Sequence, residues 1–141
     1  MPRSEQCRRL LGCAALMLPL PAASIGSDAS GATDVAATAA RITQGLPTER
    51  QRAVAIHDFV RDQVKFGFTG RFYAMTAADV LGAGRGYCNT KSTLFVDLLR
   101  AAGLQARQQF VDIDASVLHG LVDPGTPWVD HSDVEVRIDG A

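Results

Sequence analysis

Residues 84–103 read GRGYCNTKSTLFVDLLRAAG, a glycine-rich approach followed by a helical pattern. Apolar residues recur in this segment at helical spacing, at Leu94, Phe95, Leu98, Leu99 and Ala102. We therefore predict a helix from about Cys88 to Ala102. Gly103 is expected to end it, because glycine takes the left-handed conformation that follows many helices.

The predicted helix places Cys88 in its first turn, and this position favours thiol chemistry. Unpaired backbone N–H groups give a helix N-terminus roughly half a positive charge, which stabilises a thiolate. The same N–H groups can receive the oxyanion of a tetrahedral intermediate. Gly84 and Gly86 carry no side chain and are expected to let a substrate backbone come close. Cys88 is thus a candidate nucleophile.

A second candidate residue is His131, at the start of an alternating segment. Residues 132–138 predict a half-buried strand, because polar and apolar residues alternate there. One face carries Val134, Val136 and Ile138, and the opposite face carries His131, Asp133, Glu135 and Arg137. His131 is expected at the mouth of this strand. A cysteine on a helix and a histidine on a distant strand form a typical nucleophile–base pair, so Cys88 and His131 are the predicted catalytic residues.

A third residue that would orient the imidazole is not evident. Asp133 lies two residues further, roughly 7 Å along a strand, where it could touch the ring but is poorly placed to hold it. Asp139 falls in the Asp139-Gly140 turn, a dipeptide typical of hairpins. Neither aspartate is predicted to complete a triad.

Three motifs resemble the transglutaminase-like superfamily: GRGYC at residues 84–88, LLRAAGLQAR at 98–107 and HSDVEVRIDG at 131–140. The resemblance covers about residues 48–140. It implies an α+β, papain-like fold, with helices packed on a small antiparallel sheet, and a Cys-His-Asp triad. Cys88 would be the nucleophile and His131 the general base. The family's aspartate lies on the strand after the turn, beyond Ala141, so we expect the C-terminal strands to be incomplete.

The remaining pattern predicts a further set of elements. Helices are expected over residues 34–44, over residues 48–64, where Thr48 and Gln51 can form a capping box, and over residues 76–81. Residues 65–73 are expected as loop or short extended chain, residues 105–113 as a strand, and residues 114–130 as a long connection. His57 is expected to pack or to be half exposed, and Lys91 to be a solvated charge on its helix.

The N-terminus has the pattern of an exported protein. Residues 1–9 are basic, residues 10–20 are apolar, and small residues follow, as in a secretory signal peptide. The predicted division is a signal peptide at 1–24, a linker and N-terminal helix at 25–47, and a truncated transglutaminase-like domain at 48–141. The apolar run is too short to span a bilayer. The body would then be periplasmic or secreted and would hold a single cysteine, Cys88.

The composition argues against nucleic-acid binding. With 14 Lys+Arg against 15 Asp+Glu the net charge is −1, which gives no basic excess for nucleic acid. The resemblance to the transglutaminase-like superfamily implies a protein or peptide substrate whose amide bond is hydrolysed or transamidated through a thioester, with hydrolysis favoured. The alternative is a non-catalytic module of the cell envelope. A metal site from Cys88, His119 and His131 lacks the spacing of known metal motifs, so neither metal nor cofactor is expected.

Overall fold

The computed structural model describes residues 28–71, 74–121 and 123–140. Its helices are α1 (Asp28–Thr43), α2 (Glu49–Gln63), α3 (Ala77–Ala83) and α4 (Cys88–Ala101). Its strands are β1 (Lys65–Phe66), β2 (Arg85–Gly86), β3 (Gln105–Asp114) and β4 (Trp128–Arg137), and a 3-10 helix spans Ala115–Leu118. The predicted α+β fold, with helices packed on a small antiparallel sheet, is confirmed. The predicted signal peptide lies outside the described residues.

Helix α4 is the centre of the core. It packs against the other three helices on some sides and against the β3–β4 hairpin on another. Its Leu94, Leu98 and Leu99 are fully buried, as the apolar pattern predicts. They meet small and branched side chains from the neighbouring helices, namely Val35, Ala39, Ala53, Ile56, Val60 and Val80. The helix that carries Cys88 is therefore held on several sides.

The helix boundaries follow local capping signals. Thr48 forms the predicted capping box with Gln51 at the start of α2, and Thr76 forms a second one with Asp79 at the start of α3. Helix α1 begins at Asp28 rather than at the predicted residue 34. The small and polar residues 28–33 are therefore part of the helix. Among the described residues, no helix is both long and apolar enough to cross a membrane.

Strands β1 and β2 form a two-residue parallel pair that brings the end of α2 beside the approach to α4. Lys65 N donates to Gly84 O at 2.9 Å, and Gly67 N donates to Gly86 O at 3.0 Å. Pairs this short have little sequence signal, and the prediction for residues 65–73 named only loop or extended chain. The pair fixes the glycine-rich segment that leads into Cys88.

Strands β3 and β4 form an antiparallel hairpin with Val111 opposite His131. The predicted strand at 132–138 begins earlier, at Trp128, so His131 lies inside β4 rather than at its mouth. Part of the predicted long connection is therefore strand and 3-10 helix. Ser132 is buried, and Val134, Val136 and Ile138 pack against the core, which confirms the predicted inward face. At the turn that follows, Asp139 and Gly140 both take positive φ, as such a dipeptide predicts.

Candidate active site

Cys88 is the first residue of α4, as the sequence predicts. The first intrahelical hydrogen bond runs from Lys91 N to Tyr87 O at 2.8 Å. The backbone N–H groups before Lys91 in the first turn of α4 therefore have no acceptor within the helix and point toward its N-terminal end. Tyr87 N is capped by Thr90 Oγ1 at 3.1 Å. This geometry can stabilise a thiolate or an oxyanion beside Cys88.

The two glycines before Cys88 lie in different surroundings, open at Gly84 and filled at Gly86. Gly84 ends α3 in the left-handed conformation, with φ of 57°. Gly86 is buried, and a Cβ placed there would lie 2.7 Å from Thr90 Oγ1 and 3.2 Å from Lys91 Cγ. The expectation that Gly86 opens a path for a substrate backbone is wrong, because the first turn of α4 already occupies that space.

His131 lies in β4 with its side chain partly exposed. Its Nε2 is 3.4 Å from Asp133 Oδ1 on the same strand, a contact between two residues that flank Ser132. The side chain of Asp133 is 64% exposed, so water screens this contact. Asp133 touches the ring, as the strand spacing allows, but from a solvated position.

Two hydrogen-bonded links hold the start of α4 against β4. Ser92 Oγ donates to Ser132 O at 3.1 Å, and Ser132 Oγ donates to Ser92 Oγ at 3.0 Å; both side chains are buried. Nearer the helix start, Asn89 Nδ2 donates to Asp130 Oδ2 at 3.4 Å. These links place the strand segment that contains His131 beside the helix turn that contains Cys88.

Cys88 and His131 line one surface cavity of about 310 Å³. The remaining lining side chains come from α2, β1, α4 and β4: His57, Val60, Arg61, Phe66, Lys91, Ser92, Phe95 and Ser132. The Cys88 thiol donates to Asn89 Oδ1 at 3.5 Å. The thiol and the imidazole thus share a cavity, and the hydrogen bond recorded for the thiol runs to its own helix.

Lys91 is a cavity residue that the sequence prediction missed. Its Nζ donates to Val64 O at 2.6 Å, and the residue is partly buried rather than solvated as expected. Burial lowers the pKa of Lys91, and the neighbouring Lys65 lowers it further, while Asp62 acts in the opposite direction. The spacing of three residues from Cys88 is the signal that places both on one helix face.

His57 also lines the cavity, from α2. Its ring lies 6.0 Å from the Phe95 ring in a tilted arrangement, and its Nδ1 is 3.1 Å from Asp58 Oδ1. The side chain is 55% exposed, which agrees with the half-exposed alternative. Its place in the cavity that Cys88 also lines depends on how α2 crosses α4, which local sequence does not encode.

His119 lies in a different part of the molecule. It follows the 3-10 helix and lines a separate cavity with Asp114, Ser116 and Asp123. The three residues of the alternative metal site are therefore not brought together. Within the described ranges, no group of three or more metal-ligating side chains converges.

A cysteine at a helix N-terminus and a histidine on an adjoining strand, within an α+β fold, define the papain-like class of architecture. A family model described as the transglutaminase-like superfamily matches residues 36–141. The chain therefore belongs to the transglutaminase-like superfamily, and the resemblance seen in its motifs is confirmed. A comparison with curated proteins gives no significant match.

Two solved structures have a similar fold. One is a "putative cysteine protease" from Cytophaga hutchinsonii, with a TM-score of 0.62 at 19% identity. The other is a "putative protease" from Parabacteroides distasonis, with a TM-score of 0.56 at 15% identity. Each match covers 77% of this chain but 35% and 22% of the two longer chains. The chain spans about a third and about a fifth of their lengths, and identities this low establish the fold alone.

Proposed function

We propose that this domain transfers acyl groups from amides, using Cys88 as nucleophile and His131 as general base and acid, with hydrolysis of peptide bonds as the outcome. The observation that carries the proposal is the shared cavity, which both side chains line from separate elements. Membership of the transglutaminase-like superfamily and the similarity to protease folds support it.

The reaction would run in two halves. His131 takes the thiol proton as Cys88 Sγ attacks the amide carbonyl, and the new S–C bond leaves an oxyanion beside the first amides of α4. The C–N bond then breaks, and the imidazolium returns its proton to the leaving amine. In the second half, water gives a proton to His131 and attacks the thioester carbonyl. The S–C bond then breaks, the acid leaves, and the imidazolium returns its proton to Cys88 Sγ.

Alkylation of Cys88 against pH tests the activated thiol. Labelling by iodoacetamide, measured on the Cys88 peptide by mass spectrometry, is expected to remain fast well below about 8.5, where a free cysteine ionises. His131→Ala should remove that low-pH reactivity, and Cys88→Ser should remove labelling of this peptide. A wild-type rate that rises only near the free-thiol range would contradict the proposal.

The same thioester would form in hydrolysis and in transamidation, and the acceptor distinguishes them. With a chromogenic amide substrate, water as acceptor gives only the free acid. Adding a primary amine such as glycine amide should leave the product unchanged if hydrolysis dominates. A new amide product that grows with amine concentration would assign transamidation instead.

A non-catalytic module of the cell envelope is the second candidate, and one observation favours it. The Cys88 thiol donates to Asn89 Oδ1 rather than to His131, so this hydrogen bond does not link it to the proposed base. Under this alternative, Cys88→Ser would leave the phenotype and the partner binding of the domain intact. The pH dependence of alkylation separates the two candidates.

Export is part of the same proposal and rests on the basic, apolar and small-residue order of residues 1–24. A full chain expressed in a bacterial host should appear in the periplasm or medium without its first residues. Leu16→Arg places a charge near the middle of the apolar run of residues 10–20 and should retain the chain in the cytoplasm. An uncleaved cytoplasmic wild-type chain would contradict export.

A further inference from the structure

The cavity that contains Cys88 holds two long cationic side chains in different electrostatic settings. Arg61 lies 2.9 Å from Asp58 Oδ1 and 2.8 Å from Asp62 Oδ1, so two carboxylates compensate its charge. Lys91 has Val64 O as its hydrogen-bond acceptor. Among the described residues, no carboxylate lies within ion-pair distance of Lys91.

Lys91 is also held in place. Its stem packs against Gly86, where a Cβ would lie 3.2 Å from Lys91 Cγ, and its Nζ is tied to the end of α2 through Val64 O. An ammonium carries three N–H donors, and the backbone carbonyl accepts one of them. The group is partly desolvated, so an anion that reaches the cavity would meet a preorganised and weakly screened charge.

The spacing along α4 sets where such an anion would sit. Residues three apart on a helix have Cβ atoms about 5–6 Å from each other, and both Cys88 and Lys91 line the cavity. The cavity wall also includes Val60, Phe66 and Phe95, which offer contact to an apolar stem. An acyl group of a few carbons that ends in a carboxylate fits this arrangement.

Building on the proposed function, we propose that Lys91 determines specificity by binding a carboxylate on the acyl side of the scissile amide. The substrate class is then an acidic peptide, with a glutamate-like or aspartate-like side chain next to the carbonyl that Cys88 attacks. A free carboxyl terminus supplies the same anion from the opposite side of the bond. The acyl-side source is favoured because the α4 face joins Lys91 directly to the nucleophile.

A pair of alkylating reagents isolates the effect of Lys91. Iodoacetate and iodoacetamide both form an S–C bond with Cys88 and release iodide, but only iodoacetate carries a carboxylate beside the reacting carbon. The ratio of their rate constants, measured on the Cys88 peptide of the full chain, should fall by about threefold to tenfold in Lys91→Gln. The ratio cancels any change in the reactivity of the thiol itself, because that change affects both reagents.

Lys65→Gln is the matched control. It removes the same charge from an exposed neighbour whose Nζ donates to Asp62 O and which does not line the cavity. The reagent ratio in this variant should stay close to the wild-type ratio. An unchanged ratio in Lys91→Gln, or an equal fall in both variants, would overturn the proposal.

Protection of the wild-type chain gives a second readout that needs no variant. A capped peptide with an internal glutamate should slow iodoacetamide labelling of Cys88 at lower concentration than its glutamine counterpart. A peptide with neutral side chains and a free carboxyl terminus tests whether Lys91 binds a C-terminal carboxylate instead. Equal protection by the glutamate and glutamine peptides would overturn the proposal even if Lys91→Gln did not fold.

Failure of this inference differs from failure of the proposed function. If Cys88 reacted with both reagents only as fast as free cysteine, the activated thiol would be refuted while the reagent ratio would still report Lys91. If the thiol were activated but the ratio did not depend on Lys91, acyl transfer would stand and the acidic substrate would be withdrawn.

Discussion

Ser92 and Ser132 share two buried hydrogen bonds across the boundary between α4 and β4. Ser92 Oγ donates to Ser132 O at 3.1 Å and accepts from Ser132 Oγ at 3.0 Å. Ser92 lies one helical turn after Cys88, and Ser132 directly follows His131. The two serines therefore fix the distance between the elements that carry the proposed nucleophile and base.

Ser92→Ala should lower the free energy of unfolding by about 1–3 kcal/mol, because it leaves the buried Ser132 hydroxyl without this acceptor. Urea denaturation measures the loss, and the exposed Ser116→Ala should change stability by less than about 0.5 kcal/mol. In a double-mutant cycle with Ser132→Ala, the two losses should be non-additive. Strict additivity would show that the two hydroxyls do not interact in solution.

Gly86→Ala should destabilise the chain by about 1–3 kcal/mol through overpacking. The new methyl group would meet Thr90 Oγ1 at 2.7 Å, and Thr90 cannot move freely because it caps Tyr87 N. Gly82→Ala is the matched control, since nothing lies within 4 Å of a Cβ there and alanine favours the α3 helix. Thermal unfolding should show opposite shifts for the two variants, and equal shifts would contradict the packing role of Gly86.

Thr76→Ala should cost about 1 kcal/mol at neutral pH, the usual value of an N-cap threonine. Thr76 N and Oγ1 both donate to Asp79 Oδ2 at 2.9 Å. These hydrogen bonds hold the pKa of Asp79 below its ordinary 3.8. A lowered folded-state pKa stabilises the fold above the ordinary value, and that contribution is lost as pH falls through the folded-state value.

The difference in stability between wild type and Thr76→Ala should therefore shrink as the pH falls below 3.8. Thr48→Ala provides the comparison, because its capping box is closed by Gln51, which does not titrate. Urea titrations at a series of acidic pH values measure both variants. A Thr48→Ala difference that followed the same pH dependence would exclude Asp79 as the cause.

Asp133→Asn should slow alkylation of Cys88 near neutral pH by less than about fivefold. The contact between Asp133 Oδ1 and His131 Nε2 is solvent-exposed, and exposed ion pairs contribute up to about 1 kcal/mol. His131→Ala sets the scale for complete loss of the base. A loss in Asp133→Asn as large as in His131→Ala would identify Asp133 as the residue that orients the imidazole.

Most of the fold could be predicted because its signals are local. The apolar face of α4, the capping box at Thr48 and the alternation before Ile138 each depend on residues within a few positions of one another. Cys88 at a helix start was predictable for the same reason. The predicted start of β4, at residue 132, lies four residues after the observed one. The reason is that Trp128, Val129 and Asp130 form strand only through pairing with β3.

The missed parts of the candidate site depend on contacts between distant elements. From the sequence, Lys91 is predicted to be a surface charge. Its burial depends on the end of α2, where Val64 O, 27 residues away in sequence, accepts a hydrogen bond from it. From the sequence, Gly86 is predicted to leave room for a substrate. In the structure, the side chains of Thr90 and Lys91 fill the space that a Cβ of residue 86 would take. Sequence periodicity shows which face of a helix a residue lies on. Whether that face is buried depends on the angles at which the helices cross and on strand pairs as short as β1–β2.

The position of the β3–β4 hairpin has a consequence for local unfolding. Ser92 and Ser132, whose hydroxyls join α4 to β4, are 40 residues apart in sequence. Closing that loop costs chain entropy, which the docked contacts must offset. A chain whose hairpin has undocked would keep its sulfur on a formed helix while its imidazole is elsewhere.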